Sequence, residues 1–139
     1  MSGQNSTIGG GGLHHVAIKV ANFDLAVKFY QEALGFTEKI SWGEGDKRAI
    51  LLDTGDGNYL EIFAGGDPAA ASEARLIHFA LRTTDCEAAH ARAVEYGATQ
   101  RMAPKELEIK AQQGPVPVKI SFVISPTGEV IEFFENAIT

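Results

Sequence analysis

Two histidines and two glutamates recur at matching places in the two halves of this 139-residue chain. Each glutamate stands inside an apolar run, YLEIF or VIEFF, where a buried carboxylate is costly unless it is paired or bound to a metal. Two imidazoles and two carboxylates suit a borderline or hard divalent ion such as Ni, Co, Zn, Mn or Fe. The pattern predicts one divalent metal ion held by His15, Glu61, His78 and Glu132.

These places match because the chain repeats itself. With His15 placed over His78 and one gap, HVAIKVANFDLAVKFYQEALG lies over HFALRTTDCEAAHARAVEYG. Further along, TGDGNYLEIF lies over SPTGEVIEFF, so that Glu61 meets Glu132. A lone histidine or glutamate in a strand is more often structural, but the same two types at both places are hard to obtain by accident. The repeat indicates two copies of one folding unit.

Each copy is predicted to contain one strand, one helix and three further strands. In the first copy the strands are Leu13–Val20, Thr37–Trp42, Arg48–Asp53 and Asn58–Ala64, with a helix capped by Asp24 and ended by Gly35. In the second they are Leu76–Thr83, a short strand at Thr99–Met102, Val118–Ile124 and Glu129–Glu135, with a helix from about Glu87 to Tyr96. Pro104–Pro117, with three prolines, is predicted to be a long polar loop.

The predicted fold class is therefore α+β, with two βαβββ modules related by pseudo-twofold symmetry and forming an open barrel-like cleft. The modules span residues 13–66 and 75–136 of a single domain, 13–136, and are joined by the linker Ala64–Ala74. Residues 1–12, rich in Gly and Ser, are expected to form a flexible tail.

Composition excludes several classes of function. The net charge is −6 and no run of Lys and Arg occurs, so a nucleic-acid partner is not expected. The longest apolar stretches are strand-sized, which argues against a membrane span. Cys86 is the only cysteine, so neither an intramolecular disulfide nor a cysteine-based zinc site can form. The first residues lack the features of a signal peptide, and a cytoplasmic location is expected.

Three segments resemble the vicinal oxygen chelate superfamily, in particular glyoxalase I-like proteins of the glyoxalase/bleomycin resistance protein/dioxygenase type. They are LHHVAIKVANFDLAVKFYQEALGF, IHFALRT and SPTGEVIEFFE, and the resemblance covers about Leu13–Asn136. It implies paired βαβββ modules and a metal held by residues matching the four predicted ligands. It also implies a homodimer, in which the modules that form one site sometimes come from different chains.

The resemblance implies a reaction as well. Glyoxalase I-like enzymes are metal-dependent lyases or isomerases that convert a hemithioacetal, through an enediolate, to a thioester of a 2-hydroxy acid. The residue matching Glu132 is their catalytic base. Extradiol dioxygenases and thiol transferases of the superfamily use two His and one Glu, so four ligands favour isomerase chemistry on a small oxygenated substrate. The alternatives are an epimerase of an acyl thioester, usually with an amide in place of Glu61, and a non-catalytic small-molecule-binding protein.

Four further residues are predicted to contact the substrate. Lys19 and Arg82 each follow a histidine ligand by four residues, on the same strand face, where they could hold an anionic group. Phe63 and Phe134 follow the two glutamates on the same faces and could form an apolar wall with Trp42. The alternative, structural interpretation is that Lys19 and Arg82 are solvated strand ends. For the three aromatic residues it is packing in the core. Glyoxalase I proteins typically bind glutathione with an Arg and an Asn at the positions that Lys19 and Gly65 occupy here. The other two histidines, His14 and His90, are interpreted as structural.

Overall fold

A computed structural model of the chain describes residues 4–70 and 75–139. The chain divides into two compact units. One, called here the N-terminal unit, comprises His15–Ile77 and Lys110–Pro115. The other, the C-terminal unit, comprises the residues up to His14, His78–Ile109 and Val116–Thr139. Every helix in the described ranges is too short or too polar to cross a membrane.

The N-terminal unit holds the first module. Its elements are strand β1 (Leu13–Lys19), helix α1 (Phe23–Glu32), β2 (Thr37–Trp42), β3 (Ala49–Asp53) and β4 (Tyr59–Phe63). The strands lie in the order β2-β3-β4-β1. The β2–β3 and β3–β4 pairs are antiparallel, whereas β1 and β4 are parallel, with α1 in the crossover between them.

Helix α1 covers one face of this sheet. The helix begins at a cap formed by Asn22, whose side chain accepts a hydrogen bond of 3.1 Å from the backbone N–H of Leu25, so the predicted cap at Asp24 is wrong by two residues. Its apolar side packs on the cluster formed by Ile50, Leu52 and Ile62. Because side chains alternate along a strand, the residues between these point to the opposite face.

The C-terminal unit holds the second module. Its elements are β5 (Arg75–Arg82), α2 (Cys86–Glu95), β6 (Thr99–Ala111), β7 (Gly114–Ile124) and β8 (Val130–Glu135), in the order β5-β8-β7-β6. The β5–β8 pair is parallel, like β1–β4. The side chain of Asp85 caps α2 by accepting from the backbone N–H of Ala88 at 3.0 Å. The helix packs through Cys86 and Ala89 on Val123 and Phe133. The predicted fold class, α+β with two βαβββ modules, is confirmed.

Matching ion pairs tie each helix to its sheet. In the N-terminal unit Nη1 of Arg48 lies 2.8 Å from Oδ1 of Asp24, in the first turn of α1. In the C-terminal unit Nζ of Lys119 lies 3.4 Å from Oε1 of Glu87, in the first turn of α2. These four residues occupy corresponding places in the repeat. Pairs exposed to this degree contribute little stability, but they show that the repeat extends beyond the ligand positions.

The prediction of a loop at Pro104–Pro117 is wrong. The segment is a hairpin in which β6 and β7 run almost to its tip. Pro104 is compatible with a strand because β6 is the last strand of its order, where a missing N–H costs no interior ladder bond. At the tip, the backbone N–H of Gln112 donates to the carbonyl of Ser41 on β2 at 2.8 Å. Prolines and alternating charges on an edge strand therefore resembled a loop in the sequence.

Part of the segment expected to be a flexible tail makes specific contacts. Ile8 packs against the apolar cluster of the C-terminal unit. The backbone N–H of Thr84 donates to the carbonyl of Gly9 at 2.7 Å, and that of Arg82 donates to the carbonyl of Gly12 at 2.9 Å. Residues 8–12 are thus anchored along the end of β5. Of the predicted linker, Pro68–Ala70 forms a single 3-10 turn, and 71–74 lie outside the described residues.

Candidate metal centre

The first predicted ligand pair forms within the N-terminal unit. In the parallel β1–β4 pair, His15 stands opposite Tyr59 and Ala17 stands opposite Glu61. His15 and Glu61 are therefore diagonal neighbours on one face, away from α1. Nε2 of His15 lies 3.1 Å from Oε1 of Glu61. Both side chains are buried, with His15 at 0% and Glu61 at 6% exposure.

The second pair repeats this arrangement in the C-terminal unit. Ala80 stands opposite Glu132 in the parallel β5–β8 pair, and His78 lies two residues earlier on the same face. Nε2 of His78 lies 3.2 Å from Oε1 of Glu132. Both residues are buried, at 9% and 4% exposure. The same parallel register thus brings one imidazole and one carboxylate together in each module.

A small residue stands beside each glutamate. Ala17 and Ala80 are both fully buried, and each is the direct strand neighbour of the carboxylate-bearing residue. A larger side chain at either place would occupy the space next to the carboxylate. The two alanines therefore keep that space available on the face that carries the ligand pair.

The separation within each pair fits two ligands of one ion. Donor atoms about 2.1 Å from a divalent metal lie roughly 3.0 Å apart at a right angle and roughly 3.4 Å apart at a tetrahedral angle. The observed 3.1 and 3.2 Å fall between these limits. Imidazole nitrogen and carboxylate oxygen are also the donors that borderline divalent ions accept. The residues present therefore fit a divalent metal in both distance and chemistry.

The two pairs differ in what lies beside them. On the neighbouring antiparallel strand, Leu51 stands opposite Glu61, whereas Phe122 stands opposite Glu132. The ring of Phe122 meets the imidazole of His78 edge to face, with centroids 5.3 Å apart and planes at 78°. The sequence analysis did not single out Phe122. Extending the repeat alignment to the third strand of each module would have placed it beside the glutamate.

The structure gives the two basic residues different surroundings. Lys19 is exposed, and its side chain passes so close to Gly65 that a Cβ there would lie 3.7 Å from its Cε. Arg82 is half-buried, and its Nη1 donates to the backbone carbonyl of Leu13 at 2.7 Å. Arg82 thus has a structural contact with the start of β1. Substrate contact by either residue stays a prediction.

The aromatic residues after the glutamates also have defined partners. Phe63 meets Trp42 edge to face, with centroids 6.4 Å apart. Phe134 packs on His14, with centroids 4.4 Å apart and planes at 30°. His14 is fully buried, and its Nε2 is hydrogen-bonded to Oγ1 of Thr139. Packing is therefore an observed role of these side chains, and a substrate wall stays a prediction.

His90 lies away from both pairs, on helix α2. Its Nε2 is hydrogen-bonded to Oε1 of Gln100 at 2.9 Å, and the residue is 4% exposed. This contact ties the helix to the start of β6, in keeping with the structural interpretation.

Comparison with known proteins shows where this fold recurs. An uncharacterized protein of Bacillus subtilis, YwbC, is 27% identical over 128 residues, covering 89% of this chain and 97% of its own. Methylmalonyl-CoA epimerase from Mycobacterium tuberculosis is 24% identical, with a TM-score of 0.67 over 97% of this chain and 93% of that one. A hypothetical protein of Bacillus halodurans is 16% identical, with a TM-score of 0.68 over 92% and 96%. The two solved structures show a shared fold.

The family relationship rests on most of the chain. Residues 12–133 match the family described as the Glyoxalase/Bleomycin resistance protein/Dioxygenase superfamily, a span that includes the first module, nearly all of the second and all four predicted ligands. The chain belongs to the Glyoxalase/Bleomycin resistance protein/Dioxygenase superfamily.

Proposed function

We propose that the protein is a metal-dependent isomerase or epimerase that moves a proton at a carbon next to a carbonyl group. The observation that carries this proposal is the recurrence of one buried His–Glu pair, at 3.1 and 3.2 Å, at the same place in both modules. A single such pair would be an ordinary buried contact. Two in corresponding registers supply the full ligand set of an isomerase-type site in this superfamily.

The proposed ligands are His15, Glu61, His78 and Glu132, with one divalent ion shared between the two pairs. When bound, such an ion supplies Lewis acidity toward two neighbouring oxygens of a small substrate and so acidifies the adjacent C–H group. The two neutral imidazoles add no charge to the site, so the two carboxylates balance a divalent cation. This charge balance favours retention of the ion in surroundings as buried as these.

Glu132 is the proposed base. Its carboxylate is almost fully buried and lies beside the apolar ring of Phe122, so little water competes for it. A carboxylate shielded in this way can take a proton from the substrate carbon and return it to a neighbouring carbon; in an epimerase, a proton must instead reach the opposite face of the same carbon. Glu61, with Leu51 beside it, is proposed to serve mainly as a ligand.

Two substrate classes follow from this chemistry. The first is a hemithioacetal, as in the glyoxalase I type of reaction. The second is an acyl thioester with an acidic C–H, in keeping with the fold shared with methylmalonyl-CoA epimerase. Lys19 and Arg82 would hold an anionic part of either substrate, and Phe63 and Phe134 an apolar part. Gly65 stands where an amide would serve glutathione, which favours a thiol other than glutathione.

The test has two stages. Metal analysis of the purified protein should give about one divalent ion per chain, as expected for one site with four ligands. The metal-loaded protein is then incubated in deuterium oxide with each substrate class, and deuterium at the carbon next to the carbonyl is measured by NMR. Exchange with one class supports the proposal and identifies that class. Bound metal without exchange on either class would contradict the enzyme and support the alternative, a protein that binds a small molecule without turnover.

A further inference from the structure

We propose that Phe122 is a positioning residue that fixes the orientation of the His78 imidazole for metal binding. This inference rests on the proposed metal function. It concerns a residue that touches a ligand rather than the ion or the substrate.

The geometry around His78 constrains its ring on two sides. Nε2 lies 3.2 Å from Oε1 of Glu132, and the ring of Phe122 meets the imidazole edge to face at 5.3 Å. Phe122 is held in place because it stands opposite Glu132 in the antiparallel β7–β8 register. Rotation of the imidazole about its Cβ–Cγ bond would break the contact with the phenyl ring, which such pairs favour beyond simple burial.

The other module shows what is special about this contact. The place of Phe122 is taken there by Leu51, which stands opposite Glu61 in the β3–β4 register. Leucine cannot form an edge-to-face ring contact. The modules thus share the His–Glu pair but differ in the side chain that lies next to it.

An oriented ligand loses less rotational freedom when it binds an ion. Phe122→Leu gives this place the side chain that the other module uses, and removes the ring contact while keeping an apolar residue. Aromatic pairs of this geometry contribute enough that the dissociation constant for the metal should rise about 3- to 10-fold. The coordination geometry should also become less uniform.

The probe is Co²⁺, titrated into apo protein against a competing chelator, with the visible absorption of bound cobalt recorded in parallel. The matched control is Phe133→Leu, the same substitution one residue from Glu132 but on the opposite face of β8, where Phe133 packs on Cys86. Phe133 is buried whereas Phe122 is half-buried, so the control should lose at least as much stability as Phe122→Leu. Phe122→Tyr retains the ring and should restore most of the affinity.

The inference is supported if Phe122→Leu weakens cobalt binding and changes the absorption bands while Phe133→Leu does neither. Equal affinity and identical spectra in wild type and Phe122→Leu would overturn it and leave the metal function intact. A wild-type protein that takes up no cobalt, or any other divalent ion, would overturn the proposed function and this inference together. The two failures are therefore distinguishable.

Discussion

His78 and Glu132 are joined by the register of two parallel strands: Nε2 of the one lies 3.2 Å from Oε1 of the other, diagonally across β5 and β8. Ala80 lies two residues after His78 on β5, directly opposite Glu132, and is fully buried. The same relationship joins His15 and Glu61 across β1 and β4. Because strand register rather than a loop sets both pairs, the ligands are fixed by the backbone ladder and should tolerate changes in the surrounding loops.

Glu132→Gln should abolish proton transfer while keeping the fold. An amide oxygen can still face a metal, but an amide cannot accept a proton in the relevant pH range, and loss of a general base typically costs about 10²- to 10⁴-fold in rate. Solvent deuterium incorporation is the measurement, with metal content checked in each variant. Glu61→Gln is the matched control and should lose less. Full exchange by Glu132→Gln with metal retained would exclude Glu132 as the base.

Metal binding should stabilise the folded protein. An ion that binds only the folded state adds about 2.7 kcal/mol at a free concentration 100 times its Kd, so Tm should rise on loading and fall with a chelator. His78→Ala should remove most of this rise. His90→Ala also deletes a buried imidazole from the C-terminal unit, but one bonded to Gln100, and should keep the rise. A full metal-dependent shift in His78→Ala would place the effect outside the predicted ligand set.

Ala80→Leu should destroy the site by filling it. Ala80 has no exposed surface and is the direct strand neighbour of Glu132, so three extra carbons must displace either the carboxylate or the backbone. Overpacking of this kind costs about 1–3 kcal/mol of stability. Metal content should fall in parallel. Ala89→Leu, on helix α2 where it packs on the other face of the same unit's sheet, provides a comparison: similar destabilisation with metal retained is expected there.

Several elements that position the site could be read from the sequence because Gly-containing turns separate short strand-like segments. The bounds of β2 were predicted without error, and those of β3 and β4 to within one residue. The cap of α1 was misplaced since Asn22 and Asp24 are both suitable capping residues, and only the backbone conformation selects Asn22.

Other features depend on pairing between distant segments, which no local pattern records. The β6–β7 hairpin was missed because Pro104 is acceptable only on an edge strand, and the edge is defined by the strand order. The contact between Phe122 and His78 depends in the same way on the register of β7 against β8. The sequence predicts that His15 and Glu61 belong to one site, since both lie on strands of one module. It does not predict the distance between their side chains.

Cys86 should resist alkylation at neutral pH. Burial raises the pKa of its thiol, and the carboxylate of Glu135 adds to this effect, while Ser121 opposes it. The reactive thiolate is therefore scarce in the folded protein. The folded state holds the proton more tightly than the unfolded state, so this group's contribution to stability is complete below the ordinary thiol pKa and declines as pH rises above it. Rapid labelling of native protein by iodoacetamide at pH 7, as fast as in urea, would contradict this prediction.

The protein should be a homodimer, as the family resemblance implies, and light scattering at micromolar concentration should give twice the mass of one 14.9 kDa chain.

A sharper test asks whether one site draws its two pairs from different chains. His15→Ala and His78→Ala each break one pair, so each variant alone should be inactive. If a site combines pairs from two chains, a refolded mixture contains heterodimers in which one site is intact, and about a quarter of wild-type activity should return. If both pairs of a site come from one chain, every site in the mixture keeps a broken pair and no activity returns. A mixture of His15→Ala with Glu61→Ala, which breaks the same pair in both chains, is the control and should stay inactive in either case. A monomer by light scattering would contradict the predicted assembly and require both pairs to come from one chain.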